Sequence, residues 1–313
     1  MQPVTTFEIA KKSEDSFLGK KLIAEGKVGA IILAGGVGSR LGFDGPKGAF
    51  ILPHIKKSLF EILFQKVPKG SSIAIMTSLS NHKETEAFLL KHQYFGLSQH
   101  QVDLFIQESL PYLDDAGNPI KGTLAPFGNG SLFRYFYKNN LWEKWKTKGI
   151  EQILVVPIDN PLADPFDPVL VEFHAVKQDE VTIKCIARSD PYEKVGVLVK
   201  IDHKIKVVEY TELSEKDKTA VDESGNLLFS IANISLFSFS MDFAKKVADV
   251  DLPIHVVKKK ALISGKMQEV QKREQYIFDL LEYATKVSVL LYPRAEVFSP
   301  IKGVEDVQRS VVE

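Results

Sequence analysis

Gly29-Ala-Ile-Ile-Leu-Ala-Gly-Gly-Val-Gly-Ser-Arg-Leu-Gly42, closing at Pro46-Lys47-Gly48, says more about the fold than any other stretch of the chain. Residues 28–33 are an apolar run with the length of a buried strand. Gly35, Gly36 and Gly38 follow within four positions. Glycine permits the positive backbone angles and the close approach that a phosphate-cradling turn needs. The amides of such a turn can point at an anion, and a helix N-terminus just after it would add its dipole. Arg40 and Lys47 bring two cations to the same spot. Together these features suggest a nucleotide triphosphate site. The loop matches neither common phosphate motif. A P-loop requires Gly-Lys-Ser/Thr, whereas Pro46 precedes Lys47 and Gly48 follows it. The dinucleotide fingerprint requires glycine three residues after Gly38, where Leu41 stands. Taken alone, the loop is equally compatible with a tight strand-to-helix turn that holds no ligand.

Further along the chain the balance shifts. The loop resembles the signature loop of the nucleotide-diphosphate-sugar pyrophosphorylases, and most closely that of the eukaryotic-type UDP-N-acetylglucosamine (UDP-sugar) pyrophosphorylases, a UTP:sugar-1-phosphate uridylyltransferase family. More blocks match in the family's order: Gln107 ahead of Leu110-Pro111, Ala125-Pro-Phe-Gly-Asn-Gly130, Ile158-Asp159-Asn160 and Val195-Gly196-Val197. Val208-Glu209-Tyr210-Thr-Glu212, Asn233, Phe278-Asp279 and Phe298-Ser-Pro-Ile-Lys302 complete the series. The resemblance implies a Rossmann-like nucleotidyltransferase (GT-A-like) α/β fold, with a central mostly parallel mixed sheet flanked by helices.

Composition sets the outer bounds. The chain has 313 residues, enough for one large α/β core or two lobes. It is 44% hydrophobic and 26% charged, ordinary values for a globular protein. Forty Lys+Arg balance forty Asp+Glu, which argues against general nucleic-acid or anionic-membrane binding and leaves room for a local cationic pocket. Cys185 is the only cysteine, so no intrachain disulfide forms; within Val181-Thr-Ile-Lys-Cys it reads as a buried, inert thiol. No apolar run approaches the roughly 18 residues of a membrane span, and the N-terminal stretch lacks a signal peptide's apolar core. A cytoplasmic location is expected. The seven histidines are dispersed and form no metal-binding constellation.

Strand-like runs at 28–33, 72–77, 102–107, 152–158 and 181–187 alternate with helical patterns at 58–66, 81–92, 130–148 and 167–178. That alternation predicts a mostly parallel sheet with helices on both faces, and ligands at the carboxyl ends of its strands. Residues 195–200 and 204–210 read as a hairpin around Asp202-His203, 226–231 and 287–291 as strands, and 241–249 and 270–286 as helices. The expected organisation is an N-terminal helical segment (1–27), a catalytic domain (28–303) and a tail (304–313), with the family's usual C-terminal domain apparently absent.

The reaction that the resemblance implies is displacement at the α-phosphorus of UTP by a sugar-1-phosphate oxygen, giving UDP-sugar and pyrophosphate. Nucleophile and leaving group are both phosphate oxygens, so no activated side chain is needed. The protein must align two polyanions and offset their repulsion. A divalent cation, Mg²⁺ or Mn²⁺, is the expected cofactor. Arg40 and Lys47 match the family's loop cations for the β- and γ-phosphates, and Lys302 the lysine that approaches the α-phosphate; each taken alone reads as a solvated surface charge. Asp159 is expected to contact Mg²⁺ and ribose, although a carboxylate before Pro161 also suits a helix N-cap. Asn233 is expected to meet the sugar, with a share in the metal, or else to hydrogen-bond a turn. Leu33, Ala34, Gly35, Gly36, Gln107, Pro126 and Gly128 are the remaining nucleotide candidates. Asn129, Gly196, Glu209, Tyr276 and Phe278 are the further sugar candidates; Glu209 in an alternating strand also fits a solvent-facing position, and the two aromatics also fit a core. Phe127 departs from the pattern, because many relatives carry aspartate before Gly-Asn-Gly. N-acetylglucosamine 1-phosphate is the favoured acceptor. The alternatives are a UDP-glucose or broad-specificity UDP-sugar pyrophosphorylase, and a non-catalytic UDP-sugar-binding protein on the same fold.

Overall fold

Val28–Leu33 is a strand buried along nearly its whole length. The computed structural model, which describes residues 1–263 and 265–309, builds its main sheet around this strand. Alternate residues feed two cores: Val28, Ala30 and Ile32 pack on one face and Ile31 on the other. Gln152–Pro157 divides the same way, with Leu154 and Val156 opposite Ile153 and Val155. Strands that are apolar at nearly every position suit a sheet covered on both faces.

Among the described residues the sheet's main path runs Glu8–Ile9, Val287–Tyr292, Val181–Ala187, Ile231–Ser240, Gln152–Pro157, Val28–Leu33, Ser72–Thr77 and Val102–Ile106. The last four strands of the path pair in parallel, as do the first three. Ile231–Ser240 stands between the two groups, antiparallel to both neighbours. Helices Leu59–Phe64, His82–Lys91 and Pro168–Lys177 cover one face. Leu132–Lys138, Leu141–Thr147, Met241–Lys246 and the 3-10 helix Ile277–Tyr283 cover the other. The mostly parallel mixed sheet flanked by helices is therefore what this sequence forms. Cys185 is fully buried in it, and burial pushes its thiol pKa well up, which keeps the sulfur inert.

Four expectations are corrected. Residues 130–148 are two helices, because Asn140 sits at φ 56° and breaks the run. The strand expected at 226–231 instead begins at Ile231 and runs for 10 residues to Ser240. Residues 270–286 are not a helix: Lys266–Glu274 pairs antiparallel with His255–Ile263, and a 3-10 turn follows. Lys, Glu, Gln and Arg favour helix locally, and cross-strand pairing overrides that preference. In the N-terminal segment only Phe17–Ala24 is α-helical, while Gln2–Pro3 and Glu8–Ile9 join the sheet as short strands.

Candidate active site

The carboxyl ends of four parallel strands converge on one cleft of about 460 Å³. The glycine loop leaves Leu33 and is held from below by a single buried side chain. Asn81, 1% exposed, donates from Nδ2 to the carbonyls of Ala34 (2.8 Å) and Gly36 (3.0 Å). The Lys47 amide donates back to the Gly36 carbonyl at 3.0 Å and the Gly38 amide to that of Gly45 at 2.9 Å, so the loop closes on the Pro46-Lys47 segment. A Cβ at Gly35 would lie 1.9 Å from Nε2 of Gln107, so a side chain there would displace the Gln107 amide from the cleft. No long helix follows the loop: Ser39–Leu41 and Lys47–Ala49 are single 3-10 turns. The helix dipole suggested by the sequence is therefore missing, and positive charge at this end comes from side chains.

Lys47 is 7% exposed, and its Nζ lies 3.4 Å from Oδ2 of Asp159. Burying an ammonium is unfavourable unless it is paired, so the lysine and the carboxylate stabilise each other at the cleft wall. Asp159 caps no helix; its carbonyl accepts from the Ile301 amide at 2.7 Å. The next side chain, Asn160, donates to the Val297 carbonyl at 2.7 Å and accepts from the Ser299 amide at 3.1 Å. These bonds bring residues 297–301, and with them Lys302, to the cleft from a distant part of the chain.

The turn at 128–130 is well formed despite Phe127, which is buried (5%). Gly128 takes φ 83°, and a Cβ there would strike the Gln275 carbonyl at 2.3 Å. Asn129 spends its Oδ1 on the Ile277 amide at 2.9 Å, which leaves its Nδ2 donors for the cleft. A register shift supplies the opposite wall. Lys184 pairs with Leu236 and Cys185 with Asn233, so Ile234 and Ser235 bulge from the long strand, with Ser235 at φ 58°. Bulges of this kind re-aim side chains beside functional sites. The Asn233 Oδ1 accepts from the Ser235 amide at 3.1 Å. Burial, and then the neighbouring Glu212, push the Glu209 carboxyl above its ordinary pKa. Tyr276 donates to Oε2 of Glu274 at 3.1 Å, and burial with that carboxylate holds its hydroxyl protonated.

Residues 4–310 match the family model described as UTP–glucose-1-phosphate uridylyltransferase. The chain belongs to this family. It is 32% identical to a UDP-N-acetylglucosamine pyrophosphorylase of Saccharomyces cerevisiae, over 96% of its own length and 71% of that protein. It is 33% identical to UDP-N-acetylglucosamine diphosphorylase 2 of Arabidopsis thaliana, over 91% of this chain and 63% of that one. The crystal structure of uridine diphosphate N-acetylglucosamine pyrophosphorylase from Trypanosoma brucei, in complex with an inhibitor, superposes with a TM-score of 0.88 at 28% identity, covering 98% of this chain and 72% of that one.

For this member of the uridylyltransferase family, every site residue expected from sequence lines the cleft except two. Ala34 is buried at 1% and does not line the cleft; its amide donates to the Met76 carbonyl and its carbonyl accepts from Asn81. Phe278 is a core residue stacked beneath Tyr276 with centroids 4.9 Å apart. Lys194, Ser235, Lys272 and Glu274 line the cleft without having been singled out. Lys194 directly precedes the Val195-Gly196-Val197 block, a position that was legible. Lys272 and Glu274, an ion pair, were hidden by the helix expected at 270–286.

Proposed function

We propose that this chain catalyses UTP:sugar-1-phosphate uridylyl transfer, with N-acetylglucosamine 1-phosphate as the preferred acceptor. One observation carries the reading: Arg40, Lys47, Asp159 and Lys302 come from separate segments and line the same cleft as the glycine loop. Ligand binding alone does not call for that full polar set. The family and the pyrophosphorylases it resembles support the same reaction.

In this reading an oxygen of the sugar 1-phosphate attacks the α-phosphorus of UTP. The new P–O bond forms as the α–β bridging bond breaks, and pyrophosphate leaves with the electron pair. Arg40 and Lys47 hold the β- and γ-phosphates, Arg by bidentate contact and Lys as a point charge. Lys302 offsets charge at the α-phosphate. Gly35, Gly36 and Gln107 face the uracil, while Asn129, Gly196, Glu209, Asn233 and Tyr276 face the sugar.

A Mg²⁺ or Mn²⁺ ion fits Asp159. The carboxylate side chain is 25% exposed at the cleft, and no cluster of three His, Cys, Asp or Glu exists among the described residues to cage an ion without substrate. Magnesium is commonly held in this way, by one or two carboxylates plus substrate phosphates. Asn233 retains an oxygen lone pair that can assist. Bound there, the ion would supply Lewis-acid charge to the phosphates.

Pyrophosphate release from UTP and Mg²⁺ tests the reading, run separately with the 1-phosphates of N-acetylglucosamine, N-acetylgalactosamine, glucose and galactose. Fastest release with N-acetylglucosamine 1-phosphate is expected. Release with the hexoses alone keeps the mechanism and moves the specificity. Silence with all four, alongside measurable UDP-sugar binding, overturns the catalytic reading. A chelator is expected to abolish release and added Mg²⁺ to restore it; undiminished activity in chelator removes the metal role of Asp159.

A further inference from the structure

We infer that Asn160 is a positioning residue for this reaction: its side chain locks the segment that carries Lys302 to the strand end that carries Asp159. The inference rests on the transferase reading above. Asn160 is fully buried, at 0% exposure, and does not line the cleft, so it acts through its neighbours and not on substrate. Its amide is used from both ends. Nδ2 donates to the Val297 carbonyl at 2.7 Å and Oδ1 accepts from the Ser299 amide at 3.1 Å. One residue earlier, the Asp159 carbonyl takes the Ile301 amide at 2.7 Å.

The three bonds alternate along 297–301, a stretch in which Pro300 has no amide to offer. They fix that stretch in place of a strand partner. Past it, the amides of Lys302 and Gly303 both donate to Oδ2 of Asp306 at 2.8 Å, which sets the far side of the lysine. Lys302 is thus held on a short span between two ties, and only the first reaches the Lys47–Asp159 pair. The chemistry explains the residue type. An ionised aspartate accepts but cannot donate, an aliphatic residue does neither, and the asparagine amide offers a donor and an acceptor on two separate atoms, one for the Val297 carbonyl and one for the Ser299 N–H. Placing a charge within a fraction of an ångström of a transferring phosphoryl group is where such a tie acts, since a displacement of about 1 Å can reduce rate by ~10²-fold.

A double-mutant cycle in kcat tests this. Asn160→Ala is expected to lower kcat by about 30-fold or more in the otherwise native protein, with UTP binding within about threefold of native. In a Lys302→Ala background the same change is expected to alter kcat by less than about threefold, because its effect runs through a side chain already removed. Equal factors in the two backgrounds, or native kcat for Asn160→Ala, overturn the inference. Should Asn160→Ala fail to fold, Asn160→Asp keeps the acceptor for Ser299 and is put through the same cycle. Amide exchange at Ser299, Ile301 and Lys302 is expected to quicken in either variant; unchanged protection there also overturns it. Failure of the underlying reading looks different: the native protein is then inactive, or Lys302→Ala alone leaves turnover at the native level.

Discussion

Lys302→Ala is expected to lower kcat by about two to three orders of magnitude while UTP binds as before. The reaction concentrates negative charge on two polyanions at the α-phosphorus, and water must be replaced there by fixed positive charge. Arg40 and Lys47 belong to the glycine-loop segment, whereas Lys302 arrives from the other end of the chain. Removing a group that acts mainly as the α-phosphorus reacts should therefore affect turnover more than nucleotide affinity. Stability should hardly change, because the Lys302 side chain is exposed and makes no ion pair among the described residues. A substitution of that kind usually shifts stability by less than about 0.5 kcal/mol. Lys302→Arg keeps the charge but spreads it over a planar fork, and is expected to recover part of the rate. Melting temperature, UTP affinity and kcat measured on the same three proteins decide the matter. Turnover of Lys302→Ala within a few-fold of native would remove the α-phosphate role.

How much of this was legible in the sequence follows from which forces set each element. Residues 28–33, 72–77 and 181–187 were read at their observed bounds because both faces of those strands are buried, so apolar and β-branched residues dominate each of them; in 181–187 the polar Thr182 and Lys184 are buried with partners of their own. Asp202-His203 was read as a turn, and both residues take positive φ. Ile231–Ser240 was misplaced for the opposite reason. Its bulge at Ile234-Ser235 breaks the alternation and Asn233 interrupts the apolar run, and neither feature has a local cause. The hairpin of His255–Ile263 with Lys266–Glu274 is mostly polar, so its pairing is decided by one strand meeting the other and not by an apolar period.

The site divides along the same line. Groups carried on strand ends and glycine turns were found, because there the motif itself is the geometry. What sequence does not display is how loops are tied. Asn81 lies outside every matched block and Asn160 inside one, and neither shows its bonds in the chain; each buried amide fixes a loop at the cleft, the first by two carbonyls and the second by a carbonyl and an amide. Ala34 shows the converse. It belongs to the motif, but it does not line the cleft, and the same Asn81 and the adjacent strand hold its backbone groups. A residue inside a signature can thus serve the shape of the loop and not its ligand.

The largest expected loss of stability lies away from the cleft, at Lys184. Its Nζ lies 2.6 Å from Oδ2 of Asp167, with the two side chains 4% and 8% exposed, and 3.9 Å from the centre of the Tyr292 ring. Asp167 does three jobs: it pairs with Lys184, accepts from the Tyr292 hydroxyl at 2.7 Å, and caps the helix Pro168–Lys177 through the Val169 amide at 2.9 Å. Burial alone would raise the Asp167 pKa; the adjoining ammonium and these hydrogen bonds outweigh burial and hold it below the ordinary value. Lys184→Met strands that carboxylate and is expected to cost about 3–5 kcal/mol at neutral pH. The pH dependence fixes the cause. In the native protein a depressed carboxyl contributes stability above its unfolded pKa of about 3.9, and loses it only as pH falls through the lower folded value. Without the lysine, burial prevails and the folded pKa rises above the unfolded one. The variant's deficit is then present at high pH and shrinks as pH falls through that raised value, so the gap from native should narrow between about pH 7.5 and about pH 5. Adding Asp167→Asn to Lys184→Met removes the stranded charge, keeps a capping oxygen and is expected to recover much of the loss. Urea unfolding of the three proteins at both pH values provides the measurement. A gap that stays constant with pH, or a double variant no better than the single one, would show that lost packing, and not an unpaired buried charge, accounts for the instability.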